Sequence, residues 1–131
     1  MITRIPRRLV RGAFACYVLF LFTLTHWPAL TVPGPGRPDL IAHATTFGLW
    51  TALLIACAFF GPALSRANIV RCLLIAVAYA AFDESTQAIP WIRRYATFED
   101  YLYNLAGVAL AGLVAALLAR LCPSPPETSA A

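Results

Sequence analysis

Eight polar side chains lie at the ends of the apolar segments of this 131-residue chain. Their chemical groups are suited to proton transfer and to the recognition of anions. The eight residues are Asp39, His43, Asp83, Glu84, Gln87, Arg94, Asp100 and Asn104. Histidine and carboxylates can act as general acid and base, and arginine can hold a phosphate or carboxylate through two parallel hydrogen bonds. Because ionisable groups are costly inside a bilayer, their position at the ends of apolar segments predicts a functional site.

The first of these groups is Asp39 and His43, which lie four residues apart and therefore share one face of a helix. An aspartate at this spacing can orient an imidazole or favour its charged form. The alternative is that Asp39 caps the start of the helix while His43 lies in the wet membrane interface. The spacing leaves both interpretations open.

The second group is Asp83, Glu84 and Gln87, near the end of the next apolar segment. Two adjacent carboxylates at this depth need partners, or one of them must be protonated. The alternative is a helix end that rises into water and leaves both acids solvated. Glu84 and Gln87 lie one turn apart, so they can contribute to the same site.

The third group opens the last apolar segment. Thr97 fits an N-cap, Asp100 falls in the first helical turn, and Asn104 lies one turn deeper. Gly107 and Gly112, with several alanines nearby, predict that another helix approaches closely.

Four of these residues are candidates for a catalytic role, namely His43, Asp39, Glu84 and Asp100. Ligation of a metal by the histidine and the carboxylates is chemically possible. No spacing typical of a metal site supports it, so we expect neither a metal nor another cofactor.

The elements that hold these residues must be membrane helices. The chain is 60% hydrophobic and 12% charged, whereas roughly a quarter of residues are charged in soluble domains. Its net charge of +4 comes from arginine alone, and the arginines lie between apolar segments instead of forming a stripe. We therefore expect a membrane protein that contacts lipids and no nucleic acid.

Four apolar segments are long enough to span a bilayer, at residues 12–30, 40–64, 69–89 and 101–121. Because short polar segments connect them, we expect an all-α, integral membrane four-helix antiparallel bundle. Residues 1–11 would form a cytoplasmic basic N-terminus, residues 12–121 the transmembrane domain, and residues 122–131 a disordered C-terminal tail.

The arginines predict the orientation. Seven lie on the side of the two termini and three on the other side, so both termini are expected in the cytoplasm. A bacterial plasma membrane is the expected location. The alternative, a cleaved signal peptide in place of the first span, lacks a small-residue cleavage site at a suitable distance.

The order of these polar residues resembles the VanZ-like membrane protein family. The resemblance is carried by D-x-x-x-H, E-x-x-Q and R-x-x-T-x-x-D-x-x-x-N-x-x-G, at Asp39, His43, Glu84, Gln87, Arg94, Thr97, Asp100, Asn104 and Gly107. It covers about residues 39–112. Leu40 stands where the family commonly has lysine, and Arg93 where it commonly has glycine. The resemblance implies a small multi-pass protein of the cell envelope, and the founding member is associated with low-level teicoplanin resistance; no reaction is implied.

Three functions remain open from the sequence. The first is a polar pocket near the outer leaflet that binds or shields an amphiphile or a lipid-linked envelope component. Its residues would be His43, Asp83, Glu84, Gln87, Arg94, Asp100 and Asn104. The second is an intramembrane hydrolase or transferase acting on a lipid phosphate or ester, with His43 as base or nucleophile. The third is a structural partner subunit, and the oligomeric state is left open.

Overall fold

The computed structural model describes residues 5–28, 37–89 and 97–122. Within these ranges the chain forms four helices and no strand: α1 (Arg7–Thr25), α2 (Pro38–Ala56), α3 (Arg66–Gln87) and α4 (Phe98–Leu121). The all-helical fold is therefore confirmed. By length and apolar composition, α1, α2 and α4 could each cross a membrane. The helix α3 is long enough, but it carries four charged residues, among them Arg71 and Asp83.

The ends of the helices follow local capping chemistry. Ser65 accepts a hydrogen bond from the backbone N–H of Asn68 at the start of α3. At the start of α4, Thr97 and Asp100 form a reciprocal capping box, so the predicted N-cap is confirmed. The helix α1 already begins at Arg7, so the basic segment expected ahead of it is partly helical.

The helix α2 ends at Ala56, eight residues before the expected end of the second span. Arg11 of α1 donates hydrogen bonds to the carbonyl oxygens of Cys57 (3.2 Å) and Ala58 (3.5 Å). In a longer helix, these oxygens would instead accept hydrogen bonds from backbone N–H groups of the next turn. Ala58 has a φ of 52°, which turns the chain out of the helix. The end of α2 is therefore stabilised by a tertiary contact with α1.

Glycines set the close packing of α2 on α4. A Cβ atom on Gly107 would overlap the carbonyl oxygen of Ala44, and one on Gly48 would lie 3.3 Å from the carbonyl oxygen of Gly107. On another face of α4, a Cβ on Gly112 would lie 2.9 Å from the side chain of Leu73. The close helix approach predicted from these small residues is present in the structure.

The contacts between helices also give their relative directions. His43 contacts Asn104, and Gly48 packs on Gly107 further along both helices, so α2 and α4 run in the same sense. Asn104 also contacts Glu84 near the end of α3. The starts of α2 and α4 and the end of α3 therefore lie at one end of the molecule, which we call the polar end.

The helix α1 joins the same arrangement. Its last residue, Thr25, contacts Asp83 at the polar end, and Arg11 near its start contacts Cys57 at the opposite end. A buried apolar core lies between the two ends, where the ring of Trp50 stacks on that of Tyr79 with centroids 4.8 Å apart. Large apolar side chains cover much of the outer surface, as expected for helices that face lipid.

Candidate functional site

The centre of the polar end is a chain of hydrogen bonds across three helices. The imidazole Nδ1 of His43 on α2 lies 3.0 Å from Oδ1 of Asn104 on α4. The side-chain Nδ2 of Asn104 donates to Oε1 of Glu84 on α3 at 2.8 Å. Asn104 is fully buried and Glu84 is 7% exposed, so the network is shielded from solvent.

The network constrains the proton on His43. An ionised Glu84 would only accept hydrogen bonds, which fits the amide nitrogen of Asn104 on that side. The amide oxygen then faces Nδ1 of the imidazole. This arrangement favours the tautomer with its proton on Nδ1, and Nε2 is directed to the other side of the ring.

On that other side lies Asp100, whose Oδ1 is 3.8 Å from Nε2 of His43. The second oxygen, Oδ2, accepts hydrogen bonds from the backbone N–H (3.2 Å) and hydroxyl (2.7 Å) of Thr97. Oδ1 is buried and has no hydrogen-bond partner within the ranges that the structure describes. His43 therefore lies between two carboxylates, since Oε1 of Glu84 is 3.6 Å from its Nδ1.

A second group at the polar end surrounds Asp83, which is fully buried. The hydroxyl of Thr25 donates to its Oδ1 at 2.9 Å, and Nε2 of Gln87 donates to its Oδ2 at 2.7 Å. Both carboxylate oxygens are thus satisfied by neutral donors. Because Asp83 and Glu84 are adjacent, this group and the His43 network belong to one polar layer.

His26 belongs to this second group, although the sequence pattern does not include it. Its Nδ1 lies 3.8 Å from Oδ1 of Asp83, and its Nε2 lies 2.8 Å from the hydroxyl of Thr86. The sequence signal that could have identified His26 and Thr25 is their position along the first apolar segment. Both lie in the last third of the first apolar segment, so alternating spans bring them near the level of Asp83.

Asp39 lies outside this layer. Its carboxylate pairs with Arg37 at 3.2 Å, and Arg37 also pairs with Glu99 at 3.1 Å, so the three residues link the starts of α2 and α4. The hydrogen bond to Asp39 is the main cause that raises the pKa of the Arg37 guanidinium above its ordinary value. No hydrogen bond or ion pair joins Asp39 to His43, so the structure favours a role at the helix start over orientation of the imidazole.

One residue of the expected site is Arg94, which is expected to hold a phosphate or carboxylate. Arg94 lies outside the described residues, as does its neighbour Arg93. The segment that contains them connects the end of α3 to the start of α4, so in the sequence it joins Glu84 to Asp100.

The chemistry offered by the described residues is hydrogen bonding and proton transfer. Among them, no group of three or more histidine, cysteine, aspartate or glutamate residues is positioned to hold a metal ion. A histidine between two carboxylates can accept or deliver a proton, and the amides of Gln87 and Asn104 fix the carboxylates that face them.

An open apolar groove of about 460 Å³ lies between α2 and α4. Small residues line it, including Ala44, Gly48 and Ala52 on α2 and Gly107 and Ala111 on α4. Ala44 directly follows His43, and Gly107 comes three residues after Asn104, so the groove begins at the depth of the polar layer. Its volume falls in the range of small-molecule sites.

Comparisons with known proteins identify no relative of this chain. No family model matches the chain, no curated protein matches it, and no solved structure matches it.

Proposed function

We propose that the chain is a four-span, antiparallel bundle of a bacterial plasma membrane with both termini in the cytoplasm, and that it is a VanZ-like protein. The alternation of helix directions in the contacts supports this topology, as do the three apolar helices. The arginine distribution supports the orientation. The helix α3 would span through its contacts with the other helices, because its charged groups at the polar end are buried against α1, α2 and α4.

The proposed function is binding or shielding of an amphiphile or a lipid-linked envelope component near the outer leaflet. The observation that carries it is the His43–Asn104–Glu84 network, with Asp100 beside it, at the depth where the apolar groove begins. A polar layer and an apolar groove at matching depths fit a molecule with a polar head and a hydrocarbon tail.

The head of such a molecule would meet both acceptors and donors. Oδ1 of Asp100 is a buried acceptor without a hydrogen-bond partner among the described residues, and it suits a hydroxyl or ammonium of the ligand. Arg94 would engage a phosphate or carboxylate on the same head group through its planar guanidinium. A head that carries both kinds of group is typical of lipid-linked sugars.

The experiment measures binding of radiolabelled envelope lipids to the purified protein in lipid nanodiscs. We expect saturable binding that weakens in Asn104→Leu, which breaks the network, and in Ala52→Phe, which fills the groove. Ala78→Phe is the matched control, since Ala78 is also exposed but lies on α3 away from the groove. Equal binding by Ala52→Phe and Ala78→Phe would remove the groove from the proposal.

A second candidate is an intramembrane hydrolase or transferase, and the position of His43 between Glu84 and Asp100 favours it. The imidazole would take a proton from a water molecule that attacks a lipid ester or phosphate, then return that proton to the leaving oxygen. Release of a cleaved product in the same nanodiscs would identify the enzyme, and His43→Gln should abolish release per bound lipid even at lipid concentrations that saturate binding.

The same measurements address the third possibility. If the protein neither binds nor cleaves any of the labelled lipids, the polar layer serves only to join helices, as in a structural partner subunit. The link to glycopeptide resistance is tested separately, by measuring the teicoplanin sensitivity of a bacterial strain with and without expression of the chain.

A further inference from the structure

The end of the molecule opposite the polar layer carries a concentrated positive charge. Six arginines of the described residues lie there, and we call this surface the arginine end: Arg7, Arg8, Arg11, Arg66, Arg71 and Arg120. The contact of Arg11 with Cys57 places the start of α1 beside the end of α2. The contact of Gly112 with Leu73 places the second half of α4 beside the first half of α3, so the end of α4 is directed toward the same end of the molecule as the start of α3.

No carboxylate among the described residues lies at the arginine end. The five described acidic residues all lie at the start of α2, the end of α3 or the start of α4, which is the opposite end: Asp39, Asp83, Glu84, Glu99 and Asp100. None of the six arginines forms an ion pair within the described ranges, whereas Arg37 at the polar end forms two. The charge of the arginine end therefore requires a counter-ion from outside these parts of the chain.

The helix dipoles do not cancel this charge. The helices α1 and α3 begin at the arginine end while α2 and α4 end there, so the partial charges of the two N-termini and the two C-termini roughly balance. Arg11 hydrogen-bonds to the carbonyl groups of Cys57 and Ala58, just past the end of α2. Arg11 therefore makes contacts within the fold, and all six arginines are exposed.

Two phenylalanines show how the arginines lie relative to the apolar surface. The guanidinium carbon of Arg11 is 4.7 Å from the ring centroid of Phe59, and that of Arg71 is 5.8 Å from the centroid of Phe60. Both phenylalanines belong to the connection between α2 and α3. Large apolar side chains adjoin the arginines, with Leu9 60% and Leu121 77% exposed. A charged surface bordered by exposed apolar residues fits a bilayer interface better than a nucleic acid.

We propose that the arginine end binds the phosphate groups of anionic phospholipids in the adjoining leaflet, with Arg66 and Arg71 as its main contacts. Both belong to the first two turns of α3, and both are exposed and free of protein carboxylates in the described chain. Each arginine near an anionic surface strengthens binding about fivefold. This inference rests on the proposed membrane topology, but it concerns a different end of the molecule and does not rest on the ligand proposed for the polar end.

The test compares phosphatidylglycerol with phosphatidylcholine of the same acyl chains, each added to the full chain in a neutral detergent. Bound lipids are counted by native mass spectrometry. We expect the wild type to prefer phosphatidylglycerol and the double variant Arg66→Gln/Arg71→Gln to bind it about 25-fold more weakly. The double variant Arg66→Lys/Arg71→Lys should keep most of the preference. Arg37→Gln, at the polar end, should keep all of it.

Competitors identify the source of the phosphate. Inorganic phosphate and a short DNA duplex, added at the concentration of the lipid, should displace little phosphatidylglycerol. An unchanged preference in the Arg66→Gln/Arg71→Gln variant would overturn the proposal, as would equal loss in Arg37→Gln or displacement by either competitor. If the double glutamine variant does not fold, the single variants Arg66→Gln and Arg71→Gln replace it, and each should weaken binding of phosphatidylglycerol about fivefold.

Discussion

Nδ1 of His43 lies 3.0 Å from Oδ1 of Asn104, and this hydrogen bond joins the second turns of two helices that run in the same direction. A close backbone contact of α2 and α4 lies next to it, where Gly107 packs on Ala44. The polar network and the glycine contact therefore depend on the same spacing of the two helices. A substitution that separates the two helices should therefore lengthen the hydrogen bond between His43 and Asn104, and one that removes the hydrogen bond should alter the helix spacing.

The first prediction concerns the proton on His43. We expect the neutral imidazole to carry its proton on Nδ1, because Asn104 presents its oxygen there while its nitrogen donates to Glu84. The ¹⁵N chemical shifts of the ring in selectively labelled protein distinguish the two tautomers. Asn104→Leu removes the acceptor and should shift the population toward the Nε2 proton, which suits Asp100. A dominant Nε2 proton in the wild type would contradict the assignment.

The second prediction concerns the stability that Asn104 provides. Asn104→Leu deletes two interhelical hydrogen bonds and leaves buried polar groups on His43 and Glu84 that have lost a partner. We expect a loss of about 1–3 kcal/mol in the free energy of unfolding. Asn104→Asp should cost more, because it places a second carboxylate against Glu84. Thermal unfolding in detergent measures both, and a Leu variant less stable than the Asp variant would show that the hydrogen bond to His43, which Asp can keep, matters more than repulsion from Glu84.

The sequence alone supported much of this layer. Depth in an alternating set of spans is enough to bring His43, Asp100, Asn104 and Glu84 to one level, and helical spacing puts the last turns of α3 near the first turns of α4. The capping box of α4 was also predictable, since Thr97 and Asp100 have the spacing and the residue types that a cap requires. These features depend on local pattern and on the order of the helices.

Other features depend on tertiary contacts that no local pattern encodes. Just past the end of α2 at Ala56, Arg11 of another helix takes the carbonyl oxygens of Cys57 and Ala58. Asp39 has the spacing to meet His43, yet it pairs with Arg37, which lies two residues earlier and also reaches Glu99. The choice between such partners is decided by side-chain geometry, and several choices are compatible with the same sequence.

The third prediction separates Asp39 from the site. Asp39→Asn should leave lipid binding and the tautomer of His43 unchanged, because Asp39 pairs with Arg37 outside the polar layer. The pair is exposed and screened by salt, so the unfolding midpoint should also change little. Asp100→Asn is the comparison variant, and we expect it to weaken binding, since its buried Oδ1 faces His43. Equal loss of binding in the two variants would return Asp39 to the site.

The fourth prediction concerns the attachment of α1. Thr25 holds the end of α1 to Asp83 through a buried hydrogen bond, so Thr25→Val should weaken the attachment while keeping the shape of the side chain. We expect faster hydrogen exchange of the backbone amides in the last turns of α1 and unchanged exchange in α4. Thr23→Val is the matched control, because Thr23 donates within its own helix to the carbonyl of Leu19. Equal acceleration in both variants would mean that Asp83 does not anchor α1.

The fifth prediction is a series of glycine-to-alanine changes that measures the spacing of α2 and α4. At Gly107 the new methyl group would overlap the carbonyl oxygen of Ala44, a backbone atom that can yield only if the helices separate. We expect a loss of about 3 kcal/mol or more in the free energy of unfolding. At Gly48 the methyl group would lie 3.3 Å from the carbonyl oxygen of Gly107, so the loss should be near 1 kcal/mol.

Gly12 provides the control for this series. Nothing lies within 4 Å of the methyl group that Gly12→Ala would add, so this variant should be as stable as the wild type or more stable by up to about 1 kcal/mol. The same three variants should rank identically in the ¹⁵N shifts of His43, because separation of α2 from α4 lengthens its hydrogen bond to Asn104. If Gly107→Ala lowered stability but left the His43 tautomer unchanged, the polar network would hold independently of the glycine contact.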